Sequence, residues 1–374
     1  MSQLDQARTD RALRILVSGG GSGGHIFPAV AIADELKRRF PEAEFLFVGA
    51  KGRMEMQKVP LAGYTIEGLP ISGLHRKQWW RNLGLPFKLL RSLWQSRTIV
   101  KRFQPDVAIG TGGYAGGPVL YMAAKLGVPT MILEPNAFAG LANKWLGNKV
   151  DKICIAFNGM ERFFPKEKLV RTGIPVREAM LDKVVEKPAG TTQQILLIGG
   201  SQGAGSLNQA LRESTATIAA RPKIKWTWQC GAYYYKAFKD CATAQLPNVN
   251  ITAFIDSMDE AYSQADLVIG RAGAITIAEL CYLGKASVLV PSPNVAEDHQ
   301  TVNAEALAAE QATVLVRDHD AKEQLAPTVI EILDAPNRLQ AIAAAAKQQA
   351  QPGAVSRIVD EALLLIPHLQ NSEA

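Results

Sequence analysis

A short apolar run, a glycine-rich turn and a helical pattern occur together twice in this chain, 180 residues apart. Arg14–Ser18 leads into Gly19-Gly20-Gly21-Ser22-Gly23-Gly24-His25, and Gln194–Ile198 leads into Gly199-Gly200-Ser201-Gln202-Gly203-Ala204. Parallel strands cannot be joined by a hairpin and need a helical crossover, so a strand, a tight turn and a helix open a parallel βαβ unit. Further strands are expected after each opening. In the first half these are Glu44–Val48, Asp106–Gly110, Thr130–Leu133 and Lys152–Ala156; in the second, Trp226–Gln229, Asn250–Ala253, Leu267–Ile269 and Ser287–Val290. The pattern predicts an α/β protein with two Rossmann-like, doubly wound parallel sheets. At 374 residues the chain has room for both. The break is expected in the polar stretch Leu181–Gln193, giving domains 1–180 and 181–355, with a C-terminal helix 356–374 packing back on the first.

Composition removes several other classes. With 47% hydrophobic and 20% charged residues, the chain is neither disordered nor fibrous. Its four cysteines are scattered without a C-x-x-C pair, so neither a zinc ribbon nor a disulfide framework is expected. The polar start lacks the apolar run of a signal peptide, and no segment reaches the roughly 18 apolar residues a membrane span needs.

The glycine loops are where chemistry is expected. Glycines let backbone amides close on an oxyanion, and the helix N-terminus adds positive potential. Gly19, Gly21 and Gly24 match G-x-G-x-x-G, but a dinucleotide fold also wants an acid ending its second strand, where this chain has Gly49-Ala50-Lys51. A plain tight turn remains open for each loop. A third loop, Gly110-Thr111-Gly112-Gly113-Tyr114, ends another strand, and such carboxyl edges are where open α/β sheets bind ligands. His25, at the mouth of the first loop, is a candidate general base or a packed helix residue. Arg271-Ala272-Gly273-Ala274-Ile275-Thr276-Ile277-Ala278-Glu279 presents small residues and then an acid suited to two sugar hydroxyls, or simply to a helix dipole. Glu297-Asp298-His299-Gln300 mixes acids and imidazole without enough converging ligands for a metal, and none is expected.

Charge is concentrated in one place. The net +6 arises from 41 basic and 35 acidic residues, yet the 38 residues between Glu67 and Asp106 hold eight bases and no acid. Trp79, Trp80, Phe87 and Trp94 interleave with them. Aromatics at headgroup depth and bases on phosphates suit an anionic membrane surface. Nucleic acid also likes this mixture, but no nucleic-acid fold motif accompanies it and none is expected as a partner. An amphipathic core helix with a solvated basic face is the third reading.

GGGSGGHIFPA, GTGGYAGGP, GIPVR, GGSQGA, RAGAITIAEL and EDHQTVNA, in that order, resemble the MurG family of GT-B glycosyltransferases over about residues 14 to 310. The resemblance implies two domains facing a cleft. It also implies inverting transfer of N-acetylglucosamine from UDP-N-acetylglucosamine to the C4 hydroxyl of undecaprenyl-pyrophosphoryl-N-acetylmuramyl pentapeptide, turning lipid I into lipid II for peptidoglycan. The site implied is the cytoplasmic face of the bacterial inner membrane, peripherally bound, with no cofactor. Carried over by motif, Ser201 and Gln202 meet the donor diphosphate and Arg271 lies near the phosphates. Ala274, Ile275, Thr276, Ile277 and Ala278 line the donor site. Glu279 holds the ribose, Ile255 the uracil and Gln300 the sugar hydroxyls. Ser22, Gly23, Gly24, Asn136 and Arg177 complete that site. Gly20, Gly21, Gly112, Gly113 and Tyr114 face the acceptor pyrophosphate, and His25 is the base. The family's E-Q-N and G-N-P-V-R stand here as Glu134-Pro135-Asn136 and Gly173-Ile174-Pro175-Val176-Arg177. The nearest alternative is a UDP-sugar transferase acting on diacylglycerol or another lipid. A GT-B-fold epimerase and a non-catalytic UDP-sugar-binding subunit stand further off.

Overall fold

Strand residues of alternating parity build two apolar layers from one sheet. Ile15 and Val17 enter one core and Leu16 the other; Val107 and Ile109 oppose Ala108, and Met131 and Leu133 oppose Ile132. Both faces of these strands are covered, as a parallel sheet requires, and each fully buried Leu or Ile contributes about 1.5–3 kcal/mol. The computed structural model describes residues 11–73, 84–185, 187–188, 192–200 and 202–370. Two compact units result. One runs to Pro175 and resumes at Gly353; the other is Val176–Pro352.

The first unit holds a seven-stranded sheet of order β3-β2-β1-β4-β5-β6-β7. Its strands are β1 (Arg14–Gly19), β2 (Glu44–Ala50), β3 (Ile66–Leu69), β4 (Val107–Gly112), β5 (Thr130–Glu134), β6 (Lys152–Ile155) and β7 (Leu169–Arg171), all paired in parallel. The second unit has order β10-β9-β8-β11-β12-β13. There the strands are β8 (Gln194–Ile198), β9 (Lys225–Gln229), β10 (Val249–Thr252), β11 (Leu267–Gly270), β12 (Ala286–Leu289) and β13 (Val314–Leu315), again parallel. The expected α/β class with two parallel sheets is what forms. Three strands were not expected, β3, β7 and β13. Each is an edge strand of two to four residues, partly solvated and too short to carry a strand pattern of its own.

The helices that matter to the sites are α1 (Gly23–Arg39), α2 (Glu55–Leu61), α3 (Leu85–Phe103), α4 (Gly116–Lys125), α5 (Gly205–Glu213), α6 (Ala274–Leu283), α7 (His299–Ala309) and α8 (Ala354–Leu363). α8 belongs to the first unit. Ile358, Val359 and Ala362 join the core beneath α1, while Asp360 meets Arg39 at 2.5 Å and Glu361 meets Lys152 at 3.0 Å.

On α3 the distribution of apolar residues is inverted. Ser92, Ser96, Ile99 and Val100 are its buried residues, whereas Phe87, Leu90 and Trp94 are 77%, 65% and 68% exposed. Their i, i+3, i+7 spacing puts these three on one outward face. Lys88, Arg91, Arg97 and Lys101 are exposed beside them. Trp79 and Trp80 lie outside the described residues.

Candidate functional site

Each sheet order reverses at one place, between β1 and β4 in the first unit and between β8 and β11 in the second. At such a switch point the neighbouring crossovers leave in opposite directions and open a crevice beyond the strand ends. All four of those strand ends carry a loop singled out by sequence.

In the first unit the two loops interlock. Gly20 donates its N–H to the Gly112 carbonyl at 3.2 Å, and Thr111 Oγ1 donates to the His25 carbonyl at 2.7 Å. Gly113 (φ +95°) could not carry a side chain, because its Cβ would sit 2.4 Å from the Gly20 oxygen. A Cβ on Gly112 would lie 2.7 Å from the His25 ring. Ser22 caps α1 in an extended conformation, and the amides of Gly23 and Gly24 begin the helix, so they have no partner within it. That is the geometry of an anion cradle. Tyr114 stands at its edge, 44% exposed.

His25 is half-buried, with Nδ1 3.0 Å from the Gly20 carbonyl and 3.4 Å from Ser22 Oγ. A carbonyl only accepts, so Nδ1 carries the proton and Nε2 is left as the basic nitrogen. Burial lowers the imidazole pKa, against a smaller upward pull from the Gly20 hydrogen bond and the Glu55 charge. The ring is therefore neutral at pH 7, the state a proton acceptor needs.

Two carboxylates that sequence reasoning gave no role hold this region. Glu55, at the start of α2, is 1% exposed and accepts from the Gly21 and Ala50 amides at 2.9 and 3.0 Å. The Glu134 carboxylate is buried at the end of β5. Oε1 accepts from the backbone and side chain of Asn136, and Oε2 from the Gly140 amide and Asn143 Nδ2, the latter two at 2.9 Å. Burial raises its pKa against the pull of those bonds. Glu134 and Asn136 thus form one local assembly in spite of Pro135.

In the second unit Gln229 joins three loops. Its Oε1 accepts from the Gly199 amide at 2.8 Å, and its Nε2 donates to the Gly200 and Ala253 carbonyls at 3.0 and 3.2 Å. Gly203 (φ +82°) packs so tightly that a Cβ would meet the Cys230 carbonyl at 2.0 Å. Asn208 on α5 donates to that carbonyl and accepts from the Trp228 indole, both at 2.9 Å. Gln202 is exposed, and Ser201 lies outside the described residues. Ile255 is half-buried in the loop after β10, beside the exposed ring of Phe254.

The loop after β11 leads through Gly273 into α6, whose first residues are Ala274, Ile275 and Thr276. Arg271 does not present a free cation. Its guanidinium donates to the Val290 and Pro291 carbonyls at 3.0 and 3.2 Å, to Asp318 at 2.5 Å and to Ser206 Oγ at 2.6 Å. The charge is balanced inside the fold and ties α5, β11 and the loops after β12 and β13 together. Glu279, one turn beyond Thr276, is 5% exposed; it accepts from Tyr262 OH at 3.0 Å and pairs with Arg177 at 3.3 Å. Ile277 is buried and Ala278 half-buried beside it. Gln300, in the first turn of α7, accepts the Ser292 amide at 2.8 Å. The preceding Glu297 and Asp298 both have positive φ (57° and 49°), strain of about 1–3 kcal/mol each that accumulates at ligand-binding turns. Among the described residues no cluster of His, Cys, Asp and Glu could hold a metal ion.

Comparison with known proteins agrees with both halves. Residues 15–155 match the glycosyltransferase family 28 N-terminal domain, and residues 194–358 match its C-terminal domain. A Bacteroides thetaiotaomicron relative is 46% identical over 95% of this chain and 98% of its own length. One from Parabacteroides distasonis is 47% identical over 95% and 99%. Both carry the name UDP-N-acetylglucosamine–N-acetylmuramyl-(pentapeptide) pyrophosphoryl-undecaprenol N-acetylglucosamine transferase. The crystal structure of Acinetobacter baumannii MurG superposes with a TM-score of 0.79 at 29% identity, covering 94% of this chain and 99% of that one. With both family domains in order and nearly half of all residues shared across almost the whole length, this chain belongs to the MurG family of glycosyltransferase family 28.

Proposed function

We propose that the chain transfers N-acetylglucosamine from its UDP donor to the C4 hydroxyl of undecaprenyl-pyrophosphoryl-N-acetylmuramyl pentapeptide, with inversion at the anomeric carbon. The observation that carries this is the relatives' shared name at 46–47% identity over 95% of the chain. The geometry supports a division of labour. The donor's diphosphate would meet Gln202 and Ser201 and the first amides of α6 at Ala274–Thr276. The ribose hydroxyls would replace Arg177 or Tyr262 on Glu279, Ile255 would meet uracil, and Gln300 the sugar. Ser22–Gly24 and Asn136 are assigned to the nucleotide sugar as well. The interlocked loops with Gly20, Gly21, Gly112, Gly113 and Tyr114 would border the acceptor pyrophosphate, the Gly20 and Gly21 N–H groups themselves being committed to Gly112 and Glu55.

His25 Nε2 would take the proton of the acceptor hydroxyl as its oxygen attacks the face opposite UDP. Negative charge then grows on the leaving diphosphate, and fixed helix-terminal amides stabilise it without reorganising. Arg271 serves this by holding the loop, since its charge is already balanced by Asp318.

Among the described residues no helix is long and apolar enough to cross a membrane. The outward apolar face of α3, ringed by bases, supports peripheral attachment to an anionic surface, which we place at the cytoplasmic face of the inner membrane, where an isoprenoid acceptor would lie. The test is transfer of labelled N-acetylglucosamine to a short-chain analogue of the muramyl lipid, with EDTA present and diacylglycerol as the parallel acceptor. Label on the muramyl lipid alone is expected; label only on diacylglycerol refutes the acceptor assignment. Loss of binding to anionic vesicles in a Phe87→Ser, Trp94→Ser variant checks the attachment.

A further inference from the structure

Glu55 is a buried carboxylate that ties the end of β2 to the glycine loop after β1. A carboxylate is costly to remove from water, and here the compensation includes two backbone amides, one on each oxygen. The surroundings are shaped to admit it. A Cβ on Gly20 would lie 2.3 Å from Oε1, and one on Gly49 would lie 2.5 Å from the Glu55 Cγ. A neutral side chain of the same shape would fill the gap with a smaller desolvation cost, giving up at most one of the two bonds.

What the charge touches supplies a reason. The peptide between Gly20 and Gly21 has two polar ends. Its N–H, on Gly21, donates to Glu55 Oε2 at 2.9 Å. Its carbonyl, on Gly20, accepts from His25 Nδ1 at 3.0 Å. Gly21 has φ +84° and open space around it, so without an anchor this peptide could rotate about its glycines and present its N–H to the ring instead. We propose that Glu55 is a positioning residue for His25, acting through the Gly20–Gly21 peptide and fixing which ring nitrogen accepts the proton.

The inference rests on the reading of His25 as the base. A carboxylate accepting from a peptide N–H polarises that peptide, and its carbonyl becomes the stronger acceptor. The Nδ1–H form is then favoured, Nε2 stays basic, and the imidazolium formed on proton transfer faces a negative charge one peptide away. Nucleophile–base systems elsewhere place a third group directly on the base's far nitrogen; here a peptide unit stands between. The groups facing the ring can be named. α2 brings Glu55, the residue before α1 brings the Ser22 hydroxyl, and the end of β4 brings Gly112. The charge acting on His25 is that of Glu55, and it favours the protonated ring.

Glu55→Gln keeps the shape and removes the charge, and its NH2 group would oppose one of the two amides. Expected are a kcat lower by about 10- to 100-fold, the range known for hydrogen-bond partners that orient an imidazole bound to a metal, and a KM for UDP-N-acetylglucosamine little changed from the unaltered protein. The His25 titration, followed by 15N NMR and assigned with His25→Gln, should move to lower pH. The acid limb of kcat should move with it. A variant that melts normally with kcat and the His25 titration both unchanged overturns the proposal. Should Glu55→Gln not fold, the unaltered protein decides: 15N shifts showing Nδ1–H support the relay, and Nε2–H refutes it. Absence of any sugar transfer by the unaltered protein would count against the proposed function, whereas tautomer and titration judge the relay separately.

Discussion

Arg271 and Asp318 offer a test of whether an arginine beside a loop we propose to bind phosphate serves the ligand or the loop. Asp318 Oδ1 accepts from Arg271 at 2.5 Å and from Ser206 at 2.6 Å, with the two charged side chains 17% and 22% exposed. Asp318→Ala removes one charge-assisted bond, worth about 1.5–3 kcal/mol, and one hydroxyl bond of about 1 kcal/mol. Arg271 keeps its two carbonyls and Ser206, which offsets part of the loss and leaves about 2–3 kcal/mol. For a unit of the size of Val176–Pro352, about 1 kcal/mol shifts Tm by about 2–4 °C, so the expected drop is about 5–10 °C. Scanning calorimetry reads the drop, and titration calorimetry with UDP reads the loop. Because Arg271 anchors the segment leading into α6, UDP should bind more weakly. Asp318→Asn, which retains an uncharged acceptor, should fall between. A Tm within 1 °C of the original, together with tighter UDP binding, would refute the reasoning, because it would mean that Asp318 only competes with the donor for an available cation.

Two further outcomes follow from local geometry. Gly203→Ala should destabilise the second unit by about 3 kcal/mol or more, since a Cβ 2.0 Å from the Cys230 carbonyl forces backbone movement at a φ of +82°. Gly200→Ala, with φ +81° and nothing within 4 Å, should cost only about 1–2 kcal/mol, and urea melts that fail to separate the pair would contradict the close approach. Glu35 has its pKa lowered to about 2 by the Arg38 hydrogen bond, with Arg39 adding to it. A carboxylate depressed on folding contributes stability above its unfolded pKa and loses it as pH falls through the folded value. Glu35→Gln should therefore flatten the stability decline between about pH 4.5 and 2, measured as denaturant midpoints across that range, and an unchanged slope would show that the pairing is not kept in solution.

What could be read in the sequence and what could not divide along a physical line. Glycine loops at strand ends are local features: strand, turn and helix are contiguous, and the residue types report the backbone they need. Hence the two sheets, the loops at Gly20 and Gly112 and the start of α6 were legible, whereas the interlock of the first two loops was not. The partners of those loops were not, because they arrive from elsewhere in the chain. Glu55 reaches Gly21 from 34 residues away, Gln229 reaches Gly199 from 30, and Asp318 reaches Arg271 from 47. None of the three belongs to a spacing pattern. Glu55 had a faint signal in Gly49, a glycine inside a strand, which marks a place where something comes close.

The same division explains the basic stretch. Phe87, Leu90 and Trp94 have the i, i+3, i+7 spacing of a core face, and periodicity alone assigns such a face to the interior. The structure gives the interior side of α3 to Ser92, Ser96, Ile99 and Val100 instead, set against α4. Small residues there let the two helices approach, and the large apolar residues are turned outward. A contiguous exposed apolar face on a helix is unfavourable in water and persists where it has a use. The eight bases without an acid between Glu67 and Asp106 are what the attachment we propose would use, since an apolar layer with negative charge at its surface takes apolar side chains and bases together.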